Sequence, residues 1–219
     1  MAEAQPSATG TAARRAELRE RLLAAGRAAI EAGGLHSLKA RDLAAAVGCA
    51  VGAIYTVFAD LDDMILGIGA GTLAQLERAL EPQQAPQQAR EEPVEELSRL
   101  ARGYLDFARA HERLWRALFE HRLGGRAVPA WFLEDQNRLF TLIEAPLARL
   151  LPHEPAAARA RLARTLFSAV HGVVSLGLEE KLAPTPAETL DAELDRLVRA
   201  VSAGLGAQSP GSCAGASSS

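Results

Sequence analysis

The stretch from Gly34 to Met64, GLHSLKARDLAAAVGCAVGAIYTVFADLDDM, holds the residue types and spacing that point most directly to a function. Two helical segments, about Lys39–Val47 and Val51–Phe58, are expected to meet through a tight turn at Gly48. Leu43, Ala44 and Val47 can pack inward from the first. Ile54 and Phe58, four residues apart, can pack inward from the second. A sharp turn between short helices is the helix-turn-helix pattern, and its second helix is narrow enough to enter a DNA major groove. The same pattern also fits a compact helical corner with no partner, because short helices around glycine are common.

Other chemistries find less support. His111, Glu112, Glu120 and His121 are the groups an enzyme or a metal site would draw on. His111 and Glu112 are adjacent, so they point to different helix faces. No HExxH and no Cys-His arrangement is present. The reading is no catalytic residue, no metal and no cofactor. The aromatic residues instead offer a binding surface. Trp115 and Phe119 share one helix face, and Trp131, Phe132 and Phe140 belong to a later helix. Phe167 and His171 share a face of the next. With Tyr104, His121 and Gln136 as a polar minority, these ten residues are candidates for a small-molecule pocket. An aromatic stripe at helical spacing equally describes an ordinary core.

The elements that would position these groups are helical throughout. Basic residues are 22 Arg and 2 Lys, and Ala, Leu, Arg and Glu all favour helix. An all-α fold of about nine helices is expected. It comprises an N-terminal three-helix module and a C-terminal bundle. The boundaries are a polar tail at 1–10, the DNA-binding module at 11–58, a ligand-binding and dimerisation domain at 59–206, and a second tail at 207–219. The first helix is predicted over Thr11–Ala32. Asp60 is predicted to cap the fourth, with Asp62 and Asp63 in its first turn. A Pro/Gln-rich linker falls at 82–90, and the eighth helix is predicted over Pro155–Leu182. A capping box with a first-turn proline, Thr185-Pro186-Ala187-Glu188, opens the last helix. No apolar run is long enough for a membrane span, and MAEAQPSATG lacks the pattern of a secretory signal. Two cysteines, Cys49 and Cys213, give no disulfide framework. A cytoplasmic protein is the expectation.

In this setting Arg41-Asp42-Leu43-Ala44, Val47-Gly48, Gly52-Ala53-Ile54-Tyr55 and Phe58 resemble, in order and without a gap, the DNA-binding signature of the TetR family of transcriptional repressors. The resemblance implies that Tyr55 bonds a DNA phosphate and that Val51, Ala53 and Thr56 face base edges. Gly52 would allow close approach to the DNA backbone. Three positions depart from the family pattern. Lys39 stands where a Ser or Thr is usual, Ala50 replaces the usual Ser before the recognition helix, and Leu61 replaces the usual Lys. Lys39 and Arg41, with the Arg14-Arg15 pair, are then the groups left to hold phosphates. Residues around Phe167–Gly172 are similar to a C-terminal domain type of that family named for Trp, His and Gly, with Phe167 where the Trp is expected.

Helix eight carries Ser168, Gly172 and Ser175 as a small-residue stripe, and helix nine offers Leu190, Leu194, Leu197 and Val201 as one face. The resemblance implies a homodimer built on these two helices; packing within one chain is the other account. The net charge of −3 looks unfavourable to DNA until it is divided. Residues 11–58 hold 7 Lys+Arg against 4 Asp+Glu, or +3, and residues 59–219 hold 17 against 22, or −5. The implied function is a homodimeric repressor, released from a palindromic double-stranded DNA operator by a small hydrophobic or aromatic effector. The alternatives are a small-molecule-binding helical protein whose DNA module is inactive and, further off, a helical enzyme.

Overall fold

The computed structural model describes residues 8–81, 91–179, 186 and 189–207. Among these residues the fold is all-α, with nine α-helices, one 3-10 turn and no strand. In chain order they are α1 (Ala8–Gly33), the 3-10 turn (Leu35–Ser37), α2 (Ala40–Val47), α3 (Val51–Ile54), α4 (Leu61–Leu80), α5 (Pro93–Ala110), α6 (Glu112–Glu120), α7 (Ala130–Leu150), α8 (Ala156–Gly177) and α9 (Leu190–Ala207). The linker at 82–90 lies outside the described residues, as do Thr185, Ala187 and Glu188 of the expected capping box.

Three bounds differ from expectation. α1 begins at Ala8, inside the stretch read as a tail, because extending an existing helix is far easier than nucleating one. α3 is α-helical for four residues only, and its last turn tightens. There Thr56 N–H donates to Ala53 at 3.2 Å and Val57 N–H to Ile54 at 3.0 Å, both three residues back. α8 ends at Gly177, where an added Cβ would lie 2.6 Å from a Leu190 methyl.

The described residues of Met1–Gln75 and His111–Leu133 form one compact unit, and those of Leu76–Ala110 and Glu134–Ser219 form another. This grouping cuts the chain differently from a boundary after Phe58.

The first unit is organised around one apolar cluster. Leu22 and Ile30 of α1, Leu43, Ala44 and Val47 of α2, and Ile54 and Phe58 meet Met64 and Ile68 of α4. Leu114 and Ala117 of α6 enter the same cluster. Ile54 is wholly buried and Phe58 is 1% exposed, as their spacing predicts. The backbone between α2 and α3 closes on Gly48, in the left-handed region at φ 68°. Its N–H donates to Ala45 at 3.2 Å, and Cys49 N–H reaches back to Ala44 at 2.9 Å. Those two bonds are the paired closure of a Schellman turn, which glycine adopts without strain. The exposed carbonyls at the end of α1 also find donors. Gly34 N–H serves Ile30 at 2.7 Å, Ser37 Oγ lies 2.7 Å from the Ala29 oxygen, and Arg113 of α6 serves Glu31 and Ala32.

In the second unit α9 lies along α5. Its buried stripe is Leu190, Leu194, Val198 and Ser202, spaced by four. Arg199 grips both oxygens of Glu95 at 2.7 and 2.8 Å and also reaches Asp195 at 2.7 Å. Arg109 grips Asp191 at 3.1 and 2.8 Å. Deeper, Glu96 is 3% exposed and is neutralised by Arg149. Shortening Leu114 to Ala removes apolar bulk from the core of the first unit, 60 residues along the chain from Ile54. The Leu114→Ala substitution is expected to lower stability by about 2–5 kcal/mol in urea denaturation followed by circular dichroism. A loss well under that range would remove α6 from this core.

Candidate nucleic-acid interface

The two short helices start without side-chain caps. Lys39 and Ala50 occupy the capping positions in extended conformation, and neither side chain bonds the amides ahead of it. Lys39 and Arg41 are both exposed beside the start of α2, the positive end of its dipole. Ala50, Val51 and Gly52 are exposed at the start of α3, and Ala53 is half-buried. Thr56 is exposed, and its hydroxyl donates to the Ala53 carbonyl at 2.7 Å, which turns its proton inward. Two large side chains on this short element face solvent: Val51 is 39% exposed and Tyr55 50%.

Gly48 and Gly52 make an informative pair. Gly48 is required by its backbone. Gly52 has no left-handed backbone, and an added Cβ would meet no atom of the chain within 4 Å. Glycine in a helix costs about 1 kcal/mol relative to alanine. No contact that a side chain would displace accounts for glycine at position 52.

Next to this surface, Asp60 accepts from Asp63 N–H at 2.8 Å, and Asp63 accepts from Ala59 N–H at 3.1 Å. The predicted cap on α4 is therefore made, with a reciprocal bond. Arg126 pairs with Asp60 at 2.6 Å and with Asp62, and His121 Nε2 lies 3.4 Å from Asp62. The bond to the Asp63 amide, with Arg126 after it, holds the Asp60 carboxyl below its ordinary range.

The ten candidate pocket residues divide between the two units. Trp115, Phe119, His121, Trp131 and Phe132 fall in the first unit; Tyr104, Gln136, Phe140, Phe167 and His171 fall in the second. In the first, Trp115 is buried and stacks edge-on with Phe119 at 5.6 Å, and Trp131 does so with Phe132 at 5.6 Å. In the second, four residues join in one cluster. Tyr104 Oη and His171 Nδ1 are 2.8 Å apart, Tyr104 meets Phe167 edge-on at 5.5 Å, and Phe140 meets Phe167 at 5.6 Å. Gln136 is half-buried on α7, outside these ring contacts. Burial holds both His171 and His121 below the ordinary histidine range.

The expected dimer residues are placed unevenly. Leu190 and Leu194 are fully buried within their own unit, so they offer no surface to a second copy. Leu197 and Val201 are half-buried beside them. On α8, Ser168 is exposed, Gly172 and Ser175 are half-buried, and a Cβ at Gly172 would meet nothing.

Sequence reasoning missed Arg113, Arg126 and the core role of Leu114 and Ala117. The one signal available was the acidic first turn of α4, which called for a counter-charge without saying where it comes from.

Comparison with known proteins agrees with this architecture. A structure of unknown function from Rhodococcus sp. RHA1 is similar at 23% identity and TM-score 0.61, over 87% of this chain and 94% of that one. A transcriptional regulator described as a TetR from Streptomyces coelicolor is similar at 18% identity and TM-score 0.60, over 87% and 98%. A TetR variant from Acinetobacter baumannii AYE, solved in complex with minocycline, is similar at 16% identity and TM-score 0.58, over 84% and 93%. No curated protein matches the chain. The chain thus has the helical fold of the TetR-type regulators. Residues 97–201 match the family described as tetracyclin repressor-like, C-terminal domain, so the resemblance to TetR-type regulators extends to that part of the chain.

Because burial lowers the folded pKa of His121 and His171, the unfolded chain takes up protons first as pH falls. Stability is expected to be full above about pH 6.5 and to decline as pH drops below it. Thermal unfolding midpoints measured from pH 7 to pH 5 check this, and His171→Gln is expected to flatten the decline. An unchanged slope in that variant would place the titration elsewhere.

Proposed function

We propose that the chain is a non-enzymatic, ligand-responsive transcriptional regulator: a cytoplasmic homodimer that represses from a palindromic DNA operator. The observation that carries the proposal is the surface of α3. Val51 and Tyr55 are left in solvent beside a glycine that the free chain does not need, on an element anchored from behind by Ile54 and Phe58. A polyanion approaching closely along Gly52 accounts for all three. Tyr55 donates to a phosphate, Lys39 and Arg41 add charge beside α2, and Val51, Ala53 and Thr56 meet base edges. With two apolar readers and a threonine whose hydroxyl proton is engaged, contact with thymine methyls fits better than bidentate bonding to guanine.

The dimer reading rests on α8 and on the outer edge of α9. Ser168, open Gly172, Ser175, Leu197 and Val201 remain after Leu190 and Leu194 are spent inside the unit. A twofold pair would set its two recognition helices about 34–36 Å apart, in successive major grooves. The effector reading rests on the ring cluster Tyr104–Phe140–Phe167–His171, an apolar wall with a neutral polar pair. It fits a small hydrophobic or aromatic molecule, and the Acinetobacter baumannii variant is itself in complex with a small molecule, minocycline. α4 starts three residues after Phe58 and runs unbroken to Leu80, so it is the segment through which binding would reach α3.

Fluorescence anisotropy with a labelled duplex of the intergenic DNA beside the coding sequence tests the reading, against a random duplex at equal salt. Gly52→Ala is expected to keep or raise the thermal midpoint while weakening binding to the intergenic duplex. Tyr55→Phe removes one hydrogen bond, and a loss of about 1 kcal/mol, roughly fivefold in affinity, is expected. Equal affinity of the unaltered protein for both duplexes would favour a small-molecule-binding protein with an inactive DNA module.

A further inference from the structure

α4 opens with three carboxylates, Asp60, Asp62 and Asp63, directly after the turn that ends at Phe58. An acidic cluster beside a surface read as DNA-binding would repel phosphate. The chain answers it from 64 residues away. Arg126 lies between two of the carboxylates, 2.6 Å from Asp60 and in contact with Asp62. His121 approaches from the same segment, with a buried Nε2 that lies 3.4 Å from Asp62 and makes no hydrogen bond.

The stretch from Arg126 to Phe132 is held on α4 at both ends. At one end is the Arg126 bridge to the first turn. At the other, the Phe132 ring packs closely on α4, 3.2 Å from where a Cβ of Gly69 would stand, so a side chain there would push the ring by a few tenths of an ångström. Just before Arg126, Gly124 and Gly125 both take left-handed backbone, at φ 59° and 88°. Trp131 stacks on Phe132 and is 39% exposed. An apolar molecule engaging Trp131 would shift Phe132 and pull on the segment that ends in Arg126.

We propose that Arg126 is a latch that fastens the 121–126 segment to the first turn of α4, and that opening it lowers affinity for DNA. The proposal rests on the DNA-binding reading above and adds the regulation of that surface. A closed latch brings a positive charge to the acidic turn and fixes the backbone leading out of α3. Opened, the latch withdraws the charge and frees the turn together.

Asp62→Asn in the full-length protein is the deciding variant. If the carboxylate acted only through its charge, removing it would strengthen binding to a polyanion. If it anchors the latch, removing it weakens binding. We expect Asp62→Asn and Arg126→Ala each to weaken binding to the intergenic duplex by about fivefold at fixed salt. Each is also expected to raise amide hydrogen exchange over residues 59–66 and 121–126. Tyr55→Phe is expected to weaken binding without changing exchange there. Tighter or unchanged binding by Asp62→Asn, in a protein that Tyr55→Phe does weaken, overturns the latch and leaves the DNA reading intact. Unchanged exchange in both latch variants overturns it as well. Equal binding of the unaltered protein to intergenic and random duplexes overturns the DNA reading and takes the latch with it.

Discussion

A helix of four residues has no stability of its own, since nucleation alone is unfavourable and short helices are marginal in water. α3 nonetheless holds a fixed place, because Ile54 and Phe58 are buried to within 1% of completely and Gly48 closes the turn before it. Each large apolar side chain contributes roughly 1.5–3 kcal/mol by burial. Two such anchors offset the ordering of a single turn, and little remains for extra polar residues on the outer face. The cluster that receives them is assembled from α1, α2, α4 and α6. The position of α3 is therefore a property of the whole unit. Arg113, closing the carbonyl end of α1 from α6, extends the same dependence to the polar groups.

This explains what was legible in the sequence. Local patterns were read correctly: the i,i+4 pair of Ile54 and Phe58, the glycine closing α2 and the aspartate cap on α4 all act within a few residues of themselves. Leu114 and Ala117 were not legible as part of that core. Their spacing marks an apolar helix face but does not say which face of which neighbour it meets. The Arg126 pairing escaped for the same reason, since a single arginine near two glycines carries no address. On α9, Leu190 and Leu194 were grouped with Leu197 and Val201 as one face, whereas the buried stripe follows Leu190, Leu194, Val198 and Ser202. An α-helical stripe spaced by four drifts away from one mixing threes and fours, and only the partner helix decides between them. In the candidate site, the exposed residues of α3 were assigned through the family signature. Ring type unites the pocket candidates, and chain position does not reveal that they fall into two units.

The electrostatics of the first unit answer one another locally. A first turn with three carboxylates is favourable to α4, because it complements the helix dipole and supplies a cap. The same turn is unfavourable to a neighbouring anion-binding surface. Recruiting Arg126 keeps the cap and neutralises part of the charge. The pairs are exposed, with side chains at 51% for Arg126 and 42% and 36% for Asp60 and Asp62. Each such pair is worth about 0–1 kcal/mol and weakens with salt. For rigidity this is a poor device. For the proposed switch it is a suitable one, because coupling free energies between two sites are typically on the order of 1–3 kcal/mol. A buried pair, at about 3–5 kcal/mol to break, would exceed most of that range.

The arrangement of glycines carries the same argument to the surface. Gly48 answers a demand of the backbone, and any other residue there would be strained. Gly69 eases packing, since the Phe132 ring lies 3.2 Å from where its Cβ would stand. Gly52 answers neither, in a helix already too short to stand alone. A folded chain under no other constraint gains by replacing it with alanine. Its presence beside exposed Val51 and Tyr55 concedes stability in the free protein, and under the proposed function close approach of a DNA backbone is what would recover that concession.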